Sequence, residues 1–599
     1  MPFDSVIRGG RWFDGTGASS AMCDVGIVDG RVAAVSPTPL DTDGCPEVVD
    51  AHGCWVIPGM VDIHTHYDVE VLQGPALEES VRHGVTTILL GSCSLSTIHA
   101  DPVDVGDLYG RVEAIPRQHV IDHVQKAKNW SSAQEYVAAL EQLPLGPNLA
   151  AFIGHSDMRA AAMGLDRATR KEVRPTPAER QQLERWLAEA LDAGFVGMSA
   201  QQLLFDKLDG DLCRSRTLPS TFGTFREMRG LRRVLRARGR VLQAGPDASH
   251  PHTILVQALH SIGAWRPPLK TSLLSAADLK AMPFIIYLMR GLAALVNRLG
   301  GNFRWQHLPV PFEVYADGID LVIFEEFGSG AAALHLQEKV ARDDLMRDPA
   351  YRAKFRKDYE TKYSPRVWHR NFFDAEIVAC PDTSVVGKSF GEVGQERGGA
   401  HPVDAFLDLV LEHGTAVRWR TTISGHRPHI LRKIAAERGV QMGFSDAGAH
   451  LRNMAFYNFG LRLLKHVADA ERAGEPFLTV ERAVHRLTGE LADWYDIDAG
   501  HLRIGDRADL AIIDPSRLDA ALEEYAEAPV AQYGGLPRMV NRNDDAVPLV
   551  MVGGRAVWRA GVATSILGRE RTGQFLRAGT DSETVKDGVS SAREGQRTA

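Results

Sequence analysis

The chain has 599 residues, 44% of them apolar and 24% charged, with 68 Lys and Arg against 76 Asp and Glu and a formal net charge of −8. That length allows about four ordinary domains, or fewer if one is a large α/β barrel, and the composition is globular, with no collagen-like, disordered or disulfide-dense bias. The missing basic excess argues against a nucleic-acid partner and against a protein drawn electrostatically to a membrane.

Residues 1–57 contain short alternating runs (SVIRG, GRWFDG, DVGIVDG, RVAAVSP) with Asp-Gly turns at Asp14-Gly15 and Asp29-Gly30, the pattern of hairpin-linked strands. From about 58 to 490, apolar β-branched runs alternate with helical stretches: WVIPGMVDIHTH, TTILLGSC, NLAAFIGH, FVGMSA, RVLQAG, LKTSLL and QMGFSD. Strands alternating with helices predict parallel βα units, and about eight of them close a barrel. The polar residues ending those strands then face the active-site mouth.

A stretch from about 281 to 380, rich in helical pattern, aromatics and charge, predicts an insertion near the mouth. Its apolar segment 283–300 is interrupted by Arg290, too short a run for a transmembrane span. It reads as a buried or interfacial helix, or as a greasy surface over an acyl pocket or membrane. Residues 491–562 return to strands (DRADLAIIDP, PLVMVGGRAVWRAG) and pair with the first 57 in one flanking unit, while 563–599 reads as a polar disordered tail. Six cysteines without a CxxC pair, behind a start (MPFDSVIRGG) that lacks a leader pattern, predict a reduced, cytoplasmic protein.

His64 and His66 stand two apart at the end of an apolar strand, so both imidazoles face one way and can share a metal. Asp446, in QMGFSDAGAH, ends the last predicted strand. Its carboxylate suits a metal shell or a proton transfer, against the simpler role of a turn aspartate. Cys93 ends the strand after the histidine pair, where a thiolate is a good zinc ligand and a buried small hydrophobe is the alternative.

PGMVDIHTH, LGSCS, GHSDMR, SDAGAH and DRADLAIID together resemble the amidohydrolase superfamily, in its N-acyl-D-amino-acid deacylase (D-aminoacylase) branch, over about residues 6–561. The resemblance implies a (β/α)8 barrel with a flanking β-sandwich built from both chain ends. It implies that His64, His66, Cys93 and Asp446 hold metal and that Asp446 is the catalytic aspartate. Two departures stand out: where two-metal members carry a histidine at the ends of two middle strands, this chain has Gly245 and Leu273. One Zn2+ per chain is therefore favoured, with a second left open through Lys270, His250 or His252.

The expected reaction is hydrolysis of an amide C–N bond in an N-acyl amino acid or related acylated amine, with Asp446 as general base. His155 and Arg159 of GHSDMR are candidates for oxyanion stabilisation, Arg159 also for gripping a substrate carboxylate, although His155 reads equally well as a structural histidine. Gln201 and Gln202, in a mouth loop with Asp206 and Lys207, are candidate substrate contacts. His426, His429 and His450 are weaker choices, with surface placement simpler. Competing readings are a cyclic amide hydrolase or deaminase of the same superfamily, and a catalytically silent barrel used for binding. The partner is a small molecule, and a homo-oligomer is compatible with the resemblance.

Overall fold

The structure is a computed structural model that describes residues 2–246, 251–361 and 366–579, the side chains of 251 and 252 excepted. Eight parallel strands form the barrel: β1 (Met60–Asp62, resuming at His64–Thr65), β2 (Val85–Leu90), β3 (Asn148–Gly154), β4 (Gly197–Gln201), β5 (Val241–Gly245), β6 (Lys270–Leu273), β7 (Asn302–His307) and β8 (Val440–Met442, resuming at Phe444–Ala447). They pair in sequence order from β1 to β8, and the second halves of β1 and β8 close the ring, with Phe444 opposite His64 and the Ile63 N–H donating to the Gly443 carbonyl at 2.7 Å. This is the (β/α)8 barrel that the alternating pattern predicts.

Both chain ends contribute to one nine-stranded sheet beside the barrel. Its seam is the antiparallel pairing of Leu510–Ile513 with Trp55–Pro58, Leu510 opposite Pro58 and Ile513 opposite Trp55. All eight residues are buried, so apolar area removed from water at the seam ties the start of the chain to its end.

Two expectations need correction. β7 lies inside the stretch 281–380, and the helix Ile285–Arg298 is the ordinary barrel helix between β6 and β7. β7 hides because Gln306 points into the barrel, bonded to Ser272, while Trp305 faces outward and donates its indole N–H to the Met289 carbonyl; it is apolar on the helix side only. The insertion follows β7. It is built on a three-stranded sheet of Phe312–Asp317, Glu376–Ala379 and Arg418–Ser424 around a buried aromatic cluster that includes Phe324, Trp368, Phe406 and Trp419.

The tail expected from 563 is ordered through 579. Phe575 and Leu576 are buried, and Leu149 at the start of β3 exchanges backbone hydrogen bonds with Gln574 and Leu576. Three apolar residues in a polar stretch, Leu567, Phe575 and Leu576, are what hold it. Among the described residues no helix is long and apolar enough to cross a membrane.

Candidate metal centre

The breaks in β1 and β8 put His64 and His66 beside Asp446 at the C-terminal mouth of the barrel. Both histidines are fully buried with ring centroids 5.3 Å apart. Asp446 Oδ1 lies 3.1 Å from His66 Nε2 and 3.5 Å from His64 Nε2. Cys93 Sγ, three residues beyond β2, lies 3.3 Å from His64 Nε2. Among the described residues, His64, His66 and Cys93 are the one group of three such side chains whose ligand atoms all fall within 4.8 Å of one another.

The far edge of the His64 ring is hydrogen-bonded, and that of His66 faces a carboxylate. His64 Nδ1 is 2.7 Å from Gln306 Oε1, which accepts from it and leaves Nε2 as the lone pair facing the cluster. His66 Nδ1 faces the buried Glu113 carboxylate at 3.4 Å. A carboxylate or amide behind a histidine fixes its tautomer and raises its basicity as a ligand. Gln243 Oε1 accepts from the Cys93 N–H at 3.2 Å. Cys93, Ser94, Asp446 and His450 all have φ between 49° and 71°, a strain of about 1–3 kcal/mol each that clusters where function over-determines the backbone.

Two nitrogens, a sulfur and a carboxylate oxygen converging in a buried pocket fit zinc in ligand type and number. Burial pushes Asp446 up, but the hydrogen bond and charge of His66, with His64 and His450, outweigh it and hold the carboxyl well below its ordinary range. Burial pushes the Cys93 thiol up to about 12 against the pull of His66, and pushes Glu113 up to about 8. It lowers His64 to about 4.

A model of the "Amidohydrolase family" matches residues 47–231. An uncharacterized protein of Mycobacterium tuberculosis (strain ATCC 25618 / H37Rv) is 54% identical over 589 residues, 97% of this chain and 96% of that protein. An N-acyl-D-glutamate deacylase of Alcaligenes xylosoxydans xylosoxydans is 34% identical over 199 residues, 33% of this chain and 36% of that enzyme. Residues 47–231 belong to the amidohydrolase family, and the chain is similar to its D-aminoacylase-like branch. Its fold matches a solved D-aminoacylase at a TM-score of 0.61 with 20% identity, covering 96% of this chain and 100% of that one. It also matches an N-acyl-D-glutamate deacylase from Bordetella bronchiseptica, solved with zinc and a phosphonate inhibitor, at 0.62 and 22%, with the same coverage.

In this amidohydrolase the other expected site residues scatter. His155 is buried away from the cluster, its Nδ1 2.9 Å from Ser220 Oγ and its Nε2 2.8 Å from Glu227 Oε1. Arg159 donates to both Glu227 oxygens at 2.6 Å. Both side chains are thus engaged by one buried carboxylate, an arrangement that matches the structural alternative for His155. Lys270 starts β6 at the opposite end of the barrel and donates to the Trp494 carbonyl, so it bridges no metals. His250 and the side chain of His252 lie outside the described residues. Gly245 and Leu273 stand near the ends of β5 and β6. The side chain of Gln201 lies where a Cβ on Gly245 would project.

Gln201, at the end of β4, is buried and donates to Asp206 Oδ2 at 2.7 Å, with its Oε1 unpartnered. Gln202 is half-buried and pairs its backbone N–H with the Gly245 carbonyl. Burial raises Asp206 to about 7 against the hydrogen bond from Gln201 and the charges of Lys207 and His66. The insertion reaches the same rim through Glu325, bonded to Arg111. His450, expected on the surface, is buried with Nε2 3.7 Å from Glu113 Oε2; it follows a turn after Asp446, not a helix start. Glu113 carries no sequence signal of its own, whereas Gln243, Gln306 and Gln441 repeat one: a lone glutamine inside a strand run, in VLQAG, RWQH and VQM.

Proposed function

We propose that this amidohydrolase hydrolyses the amide bond of an N-acylated amino acid or a related carboxylate-bearing amide, using one zinc ion per chain. The convergence of His64 Nε2, His66 Nε2 and Cys93 Sγ with Asp446 Oδ1 beside the histidines carries this reading; these side chains would hold the ion, with Cys93 or Asp446 the weaker ligand so that a position stays open for water. When bound, the zinc supplies Lewis-acid polarisation of the acyl carbonyl and acidifies water. Asp446 takes the proton from the attacking water and delivers it to the departing nitrogen, because an amine leaves poorly unless protonated. Its side chain is 14% exposed where both histidines are closed off, so of the group it is the one placed to meet substrate. With Arg159 committed to Glu227, Lys207 takes over as the carboxylate partner. It is half-buried at the mouth, with Nζ 3.1 Å from Thr217 Oγ1. The six free cysteines support a cytoplasmic location.

The test is metal content by mass spectrometry on protein purified without chelator, beside H64A, followed by turnover of enantiomeric pairs of N-acyl amino acids. The expected outcome is one zinc per chain, less in H64A, with chelation abolishing turnover and one equivalent of zinc restoring it. No metal even after reconstitution would point to a silent barrel, and two metals would show a ligand set beyond these four.

A further inference from the structure

The net charge of −8 conceals a local reversal. Between residues 226 and 298 stand twelve Arg or Lys against three Asp or Glu. This stretch includes three consecutive outer helices of the barrel, Phe225–Ala237, Pro251–Ser261 and Ile285–Arg298; Arg233, Arg238, Arg240, Lys280 and Arg290 pair with Glu184, Asp192, Asp496, Asp374 and Glu437, and the other seven cations make no such pair among the described residues. The last buries Ile286, Ala293 and Val296 and turns a second apolar stripe to solvent, with Phe284 61%, Leu288 62%, Leu295 55% and Leu299 56% exposed. The neighbouring helix adds Leu259 at 55%, and the loop after it carries Trp265 at 95%. That loop runs beside Leu299, since Ile262 bridges Gly301 and the Gly263 N–H donates to the Gly300 carbonyl at 3.4 Å. The apolar residues therefore form one continuous flank, larger than the scattered single hydrophobes of an ordinary surface.

Cations surround it. Arg226, Arg229, Arg266 and Arg298 are exposed and make no ion pair among the described residues. Among the described residues the buried Arg232 meets the Gln257 amide oxygen at 3.0 Å with its Nε unpartnered, and Arg236 donates to the His260 carbonyl with its Nε unpartnered too. Burial and the charges of Arg232, Arg236 and Arg266 hold His260 down to about 4. A two-fold interface with a second copy would set this crowd of cations against its own like. Exposed Trp, Phe and Leu flanked by unpaired arginines instead match the boundary of an anionic bilayer, where apolar side chains enter below the headgroups and cations meet phosphate.

We propose that this flank, on helices 225–237, 251–261 and 285–298, docks the enzyme on an anionic phospholipid membrane as a peripheral protein. The test is co-sedimentation of the full chain with vesicles of phosphatidylglycerol and phosphatidylcholine, against phosphatidylcholine alone. Two surface variants accompany it, R266Q/R298Q and W265S/L288S. Binding to the anionic vesicles only, weakening with salt, is expected. R266Q/R298Q should weaken it about 30-fold, and W265S/L288S should lower it at fixed salt. Because all four positions are exposed, circular dichroism of both variants should match the parent. Absence of vesicle binding, or binding that neither variant changes, overturns the proposal. So does a concentration-dependent dimer that W265S/L288S dissolves, which would assign the flank to a second copy. Thermal stabilisation by inorganic phosphate without vesicle binding would also overturn it, assigning the arginines to a free anion.

Discussion

Asp446 is the partly exposed member of the proposed ligand set, 14% open where His66 is 1%. Asp446→Asn keeps the shape and removes the base, so kcat is expected to fall about 10²- to 10⁴-fold while the fold, by circular dichroism, is unchanged. The Glu113 carboxyl faces the back of His66 and the neighbouring His450. Glu113→Gln is therefore expected to weaken zinc binding about 10- to 100-fold, read by competition with a chromogenic chelator; unchanged affinity would show that His66 does not need its carboxylate. The proposed ligands were legible because each sits at or just past a strand end with a chemistry-bearing side chain. Glu113 and His450 were not, since each arrives on a loop whose path the barrel alone decides. The glutamines behind the site were written in the sequence, in that Gln243, Gln306 and Gln441 each interrupt an apolar run at an inward position, and burying an amide there costs free energy unless it is hydrogen-bonded.

At the scale of elements, the histidine and arginine of GHSDMR join the helix His155–Met163 to the helix Phe225–Ala237 through Glu227. The motif was legible and its use was not, because sequence order cannot say which helix a strand-end histidine will meet. Burial disfavours the charged Glu227, but the hydrogen bonds and charges of His155 and Arg159 bring its carboxyl down from 4.5 to about 2. A depressed carboxyl stabilises the fold above its unfolded value and loses that contribution as pH falls through its folded value, so about 3 kcal/mol is present at neutral pH and drains away between about pH 4.5 and 2. Glu227→Gln leaves Arg159 buried without its charge partner. It is expected to cost about 3–5 kcal/mol and to flatten the acid limb of the urea-denaturation profile. A variant that kept the parent's acid limb would place the titration elsewhere. The barrel was readable wherever strands were apolar throughout; β7, aromatic outside and polar inside, was the one that composition disguised.

The whole molecule is closed by its ends. One sheet takes strands from residues 5–58 and 510–563, and the segment beyond it runs back beneath the barrel, where Phe575 and Leu576 are buried and Arg577 pairs with Glu141 at 2.7 Å. Composition averaged this segment into a polar tail, just as net charge averaged away the basic flank, because both sum over residues that structure sorts onto different surfaces. A chain ending at 563 exposes the sites that Leu567, Phe575 and Leu576 fill, and fully burying each such side chain is worth about 1.5–3 kcal/mol. That is an upper estimate, since the unfolded chain already buries part of this surface. The contacts fall on Leu145 and Leu149, before and at the start of β3, whereas the metal ligands stand at the other end of the barrel. Compared with a chain ending at 579, the shorter chain is therefore expected to unfold at lower urea while its folded fraction keeps the same kcat per bound zinc. If kcat fell with the urea midpoint unchanged, the segment would be acting on the site and not on the barrel's floor.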